Sequence, residues 1–143
     1  MNSANDPVTR MLDAYREAVY AKDVDAFASL YDANVHVFDM WGAWSLQGIA
    51  AWRGMAEGWF GSLGDERVRV EFDDVQSRVD ESMACGHATV TYSAQAPDGA
   101  TLRSLSNRMT VVLQRRGEEW KVVHEHTSAP IEHQTLKARL QRD

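Results

Sequence analysis

Asp39 closes the alternating stretch 34–39, in which Val35, Val37 and Phe38 are apolar, and Trp41 and Trp44 follow within five residues. A carboxylate among aromatic walls loses water, its pKa rises, and it becomes suited to shuttling protons. No Lys or Arg lies between His36 and Gln47 to supply a local counter-charge. A carboxylate in that place suits equally well the cap of a backbone turn. Tyr15 falls on the apolar stripe of a helix, where a core tyrosine keeps its one hydroxyl satisfied. His124 and His126 stand two apart, a spacing that puts two imidazoles on one side of a strand. No Cys or carboxylate motif completes a metal set around them, and His36, His87 and His133 are scattered. Neither a metal nor another cofactor is therefore expected.

The elements that must hold these residues follow from the pattern. Asp6-Pro7 is an N-cap followed by proline at the first helical position, and Val8, Met11, Leu12, Tyr15 and Val19 then share one 3.6-residue face. Asp23 caps a shorter second helix carrying Val24, Phe27, Leu30 and Tyr31. The stretch 34–39 reads as a strand, and Ile49, Trp52, Ala56, Trp59 and Phe60 mark a third helix. The second half alternates as strands: 67–75, about 83–96, 102–115 and 118–128, with Pro97-Asp98-Gly99 and Arg116-Gly117 as turns. A polar tail after Pro130 suits a short helix. Helices followed by an antiparallel meander predict an α+β domain with helices on one face of a curved sheet.

The last hairpin decides which side chains reach the helices. A two-residue loop at Arg116-Gly117 pairs Leu113 with Trp120, Val111 with Val122, Met109 with His124 and Asn107 with His126 on the inner face. The outer face then pairs Val112 with Lys121, Thr110 with Val123 and Arg108 with Glu125, the last as a cross-strand ion pair. On this reading a polar patch of Asn107, His124, His126 and Ser128 ends an apolar wall, as a ligand pocket requires. Trp41, Trp44 and Trp59 are expected to line the same cavity.

The segment from Trp120 through Val122-Val123-His124-Glu125-His126-Thr127-Ser128 to Pro130 resembles the closing strand of SnoaL-like proteins, members of the nuclear transport factor 2-like superfamily. The order of elements is similar over nearly the whole chain. The stretch from Tyr15 through Asp23-Val24-Asp25 to Val37-Phe38-Asp39 resembles ketosteroid isomerase, with its tyrosine, its acidic turn and its base aspartate. The resemblance implies a cone-shaped roll of three helices wrapped by a curved sheet. It also implies Asp39 as general base and Tyr15 as an oxyanion donor. That enzyme pairs its tyrosine with a protonated aspartic acid. The corresponding strand around 106–112 has no Asp or Glu here, which leaves Asn107 or His126 to assist.

With 143 residues, 44% of them hydrophobic and 25% charged, the chain suits a single domain with its core at about 6–130. A net charge of −6 without a basic stripe argues against nucleic acid, and no apolar run is long enough to span a membrane. The first six residues lack a positive region and an apolar block, so no secretory signal is expected. The single Cys85 suits a reducing cytoplasm. Two functions remain open. One is a cofactor-free acid/base enzyme (isomerase, dehydratase or cyclase type) acting on a small apolar molecule. The other is a ligand-binding or oligomerisation module of the same fold. A homodimer is expected through the outer sheet face, where Thr110, Val112, Val123 and Val90 should leave too much apolar surface for a monomer.

Overall fold

A computed structural model describes residues 6–142. Residues 1–5, on which the expected absence of a signal segment rests, and residue 143 lie outside it. Helix α1 runs Pro7–Ala21. Asp6 caps it by accepting from the Thr9 backbone N–H at 2.8 Å, and Lys22 ends it in the left-handed region at φ 56°. The Lys22 ammonium then donates to the Gly64 and Glu66 carbonyls, tying the helix end to the chain that leaves the third helix. Helix α2, Val24–Ala28, has Asp23 as its cap. It is shorter than its periodicity suggests, because Tyr31 opens strand β1, Tyr31–Phe38, instead of closing the helix. Strand β2 is the two-residue Leu46–Gln47. Helix α3, Ile49–Ser62, buries Trp52, Ala56 and Phe60.

Four long strands complete the domain: β3 Arg67–Val79, β4 Met83–Gln95, β5 Thr101–Arg116 and β6 Glu119–Ser128. They form one six-stranded sheet in the order β2-β1-β6-β5-β4-β3. All neighbours are antiparallel except β1 and β6, which run parallel. The three helices pack on one face, and the core joins the α1 stripe to Phe27, Val70, Val111, Leu113 and Val122. Gly86 on β4 shows how closely α1 approaches. A Cβ there would lie 2.5 Å from Val8 Cγ1 and 2.8 Å from the Gln76 carbonyl oxygen, so no larger residue fits without moving strand or helix.

The last hairpin departs from expectation in a way that reverses its outer half. Its two-residue loop is Gly117-Glu118, with Gly117 at φ 66° and Arg116 paired to Glu119. Leu113 consequently meets Val122 instead of Trp120. That slide moves each partner by two residues, which leaves the faces unchanged. Beyond it the register shifts between Leu113 and Val112, and Val123 is the extra residue of a β-bulge. One inserted residue turns every later side chain to the opposite face. Val111 now pairs with Glu125, Thr110 with His126 and Met109 with Thr127. Glu125 and Thr127 are buried, whereas His126 is exposed. The Arg108–Glu125 ion pair does not form; Arg108 Nε donates to the Ser128 hydroxyl instead.

Two further expectations change. Val90 is fully buried in the core and contributes nothing to the outer face, because its partner Asn107 also faces inward. The tail forms no helix. It makes a single bridge between Ile131 and Ala138 and returns beside β5, where the Ser106 N–H donates to the Leu140 carbonyl. No helix among the described residues is long and apolar enough to cross a membrane.

Candidate active site

Helices and sheet enclose a cavity of about 450 Å³, within the usual range for small-molecule sites. Trp52, Met55, Trp59, Leu63 and Val68 form its apolar wall, and Asp39, Glu125, Asn107, Thr127, Tyr15 and Tyr92 gather on it as polar groups. Asp39 follows β1, Thr127 and Glu125 come from β6, Asn107 from β5 and Tyr92 from β4. The strands fix these side chains; only Asp39 stands just past a strand end, and Thr127 secures it.

Thr127 Oγ1 donates to Asp39 Oδ1 at 3.0 Å and accepts the Met40 backbone N–H at 2.9 Å. The hydroxyl is thereby oriented, with its proton directed at the carboxylate. Burial raises the Asp39 pKa, opposed by the Thr127 hydroxyl and the Met40 N–H. Glu125 is almost completely buried, and the Tyr31 hydroxyl donates to its Oε1 at 2.6 Å. Burial pushes the Glu125 carboxyl up to about 7; the Tyr31 bond opposes this and the charge of Asp39 adds to it. Two carboxyl groups thus share one apolar cavity, both raised by burial and Glu125 the more strongly, a pairing that can divide base and acid roles. Tyr15 and Tyr92 meet hydroxyl to hydroxyl at 3.1 Å. Burial holds both phenols protonated far above neutral pH. Two O–H groups sharing one mutual bond leave one proton free to donate.

The residues singled out in sequence divide between the two faces of the sheet. Asp39, Tyr15, Trp59 and Asn107 line the cavity, and Trp41 lines it while about half exposed. Trp44 does not; it stands 96% exposed in the loop before β2. His126 and His124 lie outside the cavity, turned away by the Val123 bulge. His124 Nδ1 donates to the His36 carbonyl at 2.7 Å, and Phe38 packs edge-on against both imidazoles. No group of three or more His, Cys, Asp or Glu among the described residues is arranged to hold a metal ion. Sequence reasoning misses Glu125, Thr127, Tyr31 and Tyr92. A hairpin drawn without its bulge puts Glu125 on the outer face. Tyr31, whose hydroxyl holds it, reads as helical.

A SnoaL-like domain model matches residues 8–132. The chain belongs to the SnoaL-like family. No protein of curated function matches it in sequence. Among solved structures, this SnoaL-like domain resembles an NTF2-like protein of unknown function from Pseudomonas putida, with TM-score 0.86 and 22% identity over 100% of this chain and 98% of that one. It also resembles Aln2 from a Streptomyces species, with TM-score 0.74 and 17% identity over 85% and 87% of the two chains. A third is a nuclear transport factor 2 (NTF2-like) superfamily protein from Salmonella enterica serovar Typhimurium, with TM-score 0.68 and 19% identity over 87% and 89%. At these identities the likeness establishes the fold that the SnoaL-like domain adopts and carries no activity with it.

Proposed function

We propose that the chain is a cofactor-free acid/base enzyme acting on a small, largely apolar carbonyl compound bound in the cone. The observation that carries this reading is the unequal carboxyl pair Asp39 and Glu125 in one apolar cavity. Asp39, acting as its carboxylate and held by Thr127, takes a proton from the carbon next to the carbonyl. The electron pair moves onto the carbonyl oxygen, which is held by neutral Glu125 and the spare hydroxyl of the Tyr15–Tyr92 pair. Return of the proton to a different carbon gives isomerisation. Loss of a hydroxide equivalent gives dehydration, and attack of the carbanion on a second carbonyl gives cyclisation. All three share the first step. Thr127 is a positioning residue, acting through the Asp39 carboxylate.

The test is deuterium uptake from heavy water at the α-carbon of neutral cyclic ketones, followed by NMR. Exchange faster than in buffer supports the enzyme. Its absence across saturated and unsaturated ketones, in a cavity that still binds them, makes the chain a ligand-binding module.

We also propose self-association through the outer face of the sheet. Phe38 there is 36% exposed beside the His124 and His126 rings, with Thr110 and Val112 on the adjoining strand. Light scattering at micromolar concentration should give a particle of twice the 16.1 kDa chain mass. A single-chain particle would exclude the dimer.

A further inference from the structure

Asn107 stands out among the cavity residues. It is 94% buried by its 6% exposure, yet its Oδ1 has no hydrogen-bond partner. Its Nδ2 donates to Met40 Sδ at 3.1 Å. Thioether sulfur accepts hydrogen bonds and donates none, which sets the amide orientation: the NH₂ faces sulfur and the carbonyl oxygen is left over. The same amide acts on the Tyr92 hydroxyl as a hydrogen-bonding neighbour, partly offsetting the rise of that phenol's pKa. A buried acceptor without a partner destabilises the fold, and a ligand that donates to it removes that cost. Met40 directly follows Asp39, and Asn107 and Asp39 line the same cavity. The cavity is also unfriendly to anions. Asp39 and Glu125 are both acidic, and Arg103, the one cation lining it among the described residues, is held by Glu66 at 2.7 Å.

We propose that Asn107 selects the substrate: the cavity takes a neutral, ring-sized molecule carrying a hydroxyl or N–H donor close to the reacting carbon, and Asn107 Oδ1 receives that donor. The inference rests on the cavity being the substrate site, and it assigns Asn107 an accepting role in place of oxyanion donation. A hydroxyketone fits this pattern better than a bare ketone, and a carboxylate fits least.

The test measures binding alone, so it is separate from deuterium exchange. Calorimetry compares 2-naphthol, 2-methoxynaphthalene and 2-naphthoate at pH 7. The expected result is that 2-naphthol binds at least about tenfold more tightly than its methyl ether, the ratio for one satisfied buried acceptor, and that naphthoate binds weakest. Asn107→Leu, nearly equal in shape, should reduce the naphthol preference to less than about threefold without weakening the ether. In the unaltered protein, the Asn107 Cγ resonance should move on adding naphthol and stay still with the ether, which keeps the test valid if the variant does not fold. Equal affinity for naphthol and ether, a preference that survives Asn107→Leu, a stationary Cγ resonance, or binding of none of the probes would each overturn the proposal. Loss of exchange activity with the naphthol preference intact would remove the enzyme reading and leave the selectivity standing.

Discussion

Replacing Asp39 by asparagine should lower α-proton exchange by about a thousandfold, the usual scale of a positioned general base, while the protein stays folded. The amide keeps an oxygen for the Thr127 hydroxyl, so the local hydrogen bond survives. What disappears is the carboxylate proposed to take the proton. Because burial raises the Asp39 pKa, the ionised form is less favourable in the folded chain than in the unfolded one. Stability is therefore penalised above the folded pKa, and the penalty fades as pH falls below it. The Asp39→Asn variant should accordingly be as stable as the parent at pH 7, or more so, by thermal melting. The rate should rise with pH as Asp39 ionises, then fall above about pH 7 as Glu125 loses its proton. A variant that unfolds, or that retains exchange, would make Asp39 a turn cap. Thr127→Val should shift the acid limb of that profile upward, since its hydroxyl is one of the groups restraining the Asp39 pKa. A purely structural threonine would leave the limb in place.

The three helices and the five longer strands were legible because their signals are local, whereas the two-residue β2 in the loop after Asp39 was not. Asp6-Pro7 and Asp23 are caps, the α1 stripe has one period, and each long strand alternates between turn residues. The cavity was legible only where a side chain's face depended on its own element, as for Tyr15, Trp59 and Asn107. His124, His126 and Glu125 depend on a bulge at Val123, where two adjacent β-branched residues, Val122 and Val123, look like ordinary strand. A bulge is a pairing event between β1, β5 and β6, and neither neighbour writes it into the β6 sequence. Tyr31 suits a helix stripe by spacing, yet its place is set by contact with Phe27, Trp52 and Glu125. The acid absent from β5 is thus present in the cavity, on the next strand. Trp44 fails for a different reason: an aromatic near a carboxylate in a loop has no periodicity to say which way it points.

The largest stability effect should come from Glu125, as a pH dependence removed by Glu125→Gln. The carboxyl has an unfolded-state pKa near 4.5 and a folded one of about 7. Below pH 4.5 both states are protonated and the group contributes no penalty. Between these values the unfolded chain releases its proton while the folded one keeps it, so stability falls as pH rises; above about pH 7 the loss is complete and constant. A displacement of that size corresponds to about 3 kcal/mol. Glutamine carries no charge to desolvate and still offers an oxygen to the Tyr31 hydroxyl, so the variant should escape the loss. Urea unfolding at pH 4.5, 5.5, 6.5 and 7.5 should show parent and variant converging at the acid end. The variant should pull ahead by up to about 3 kcal/mol at the alkaline end. The Asp39 contribution is present in both proteins and largely cancels in the difference. A difference that stays flat across this range would mean that water reaches Glu125 and that it titrates as in the unfolded chain, ionised at neutral pH. The cavity would then hold two carboxylates and no acid, and the oxyanion would rest on the tyrosine pair alone.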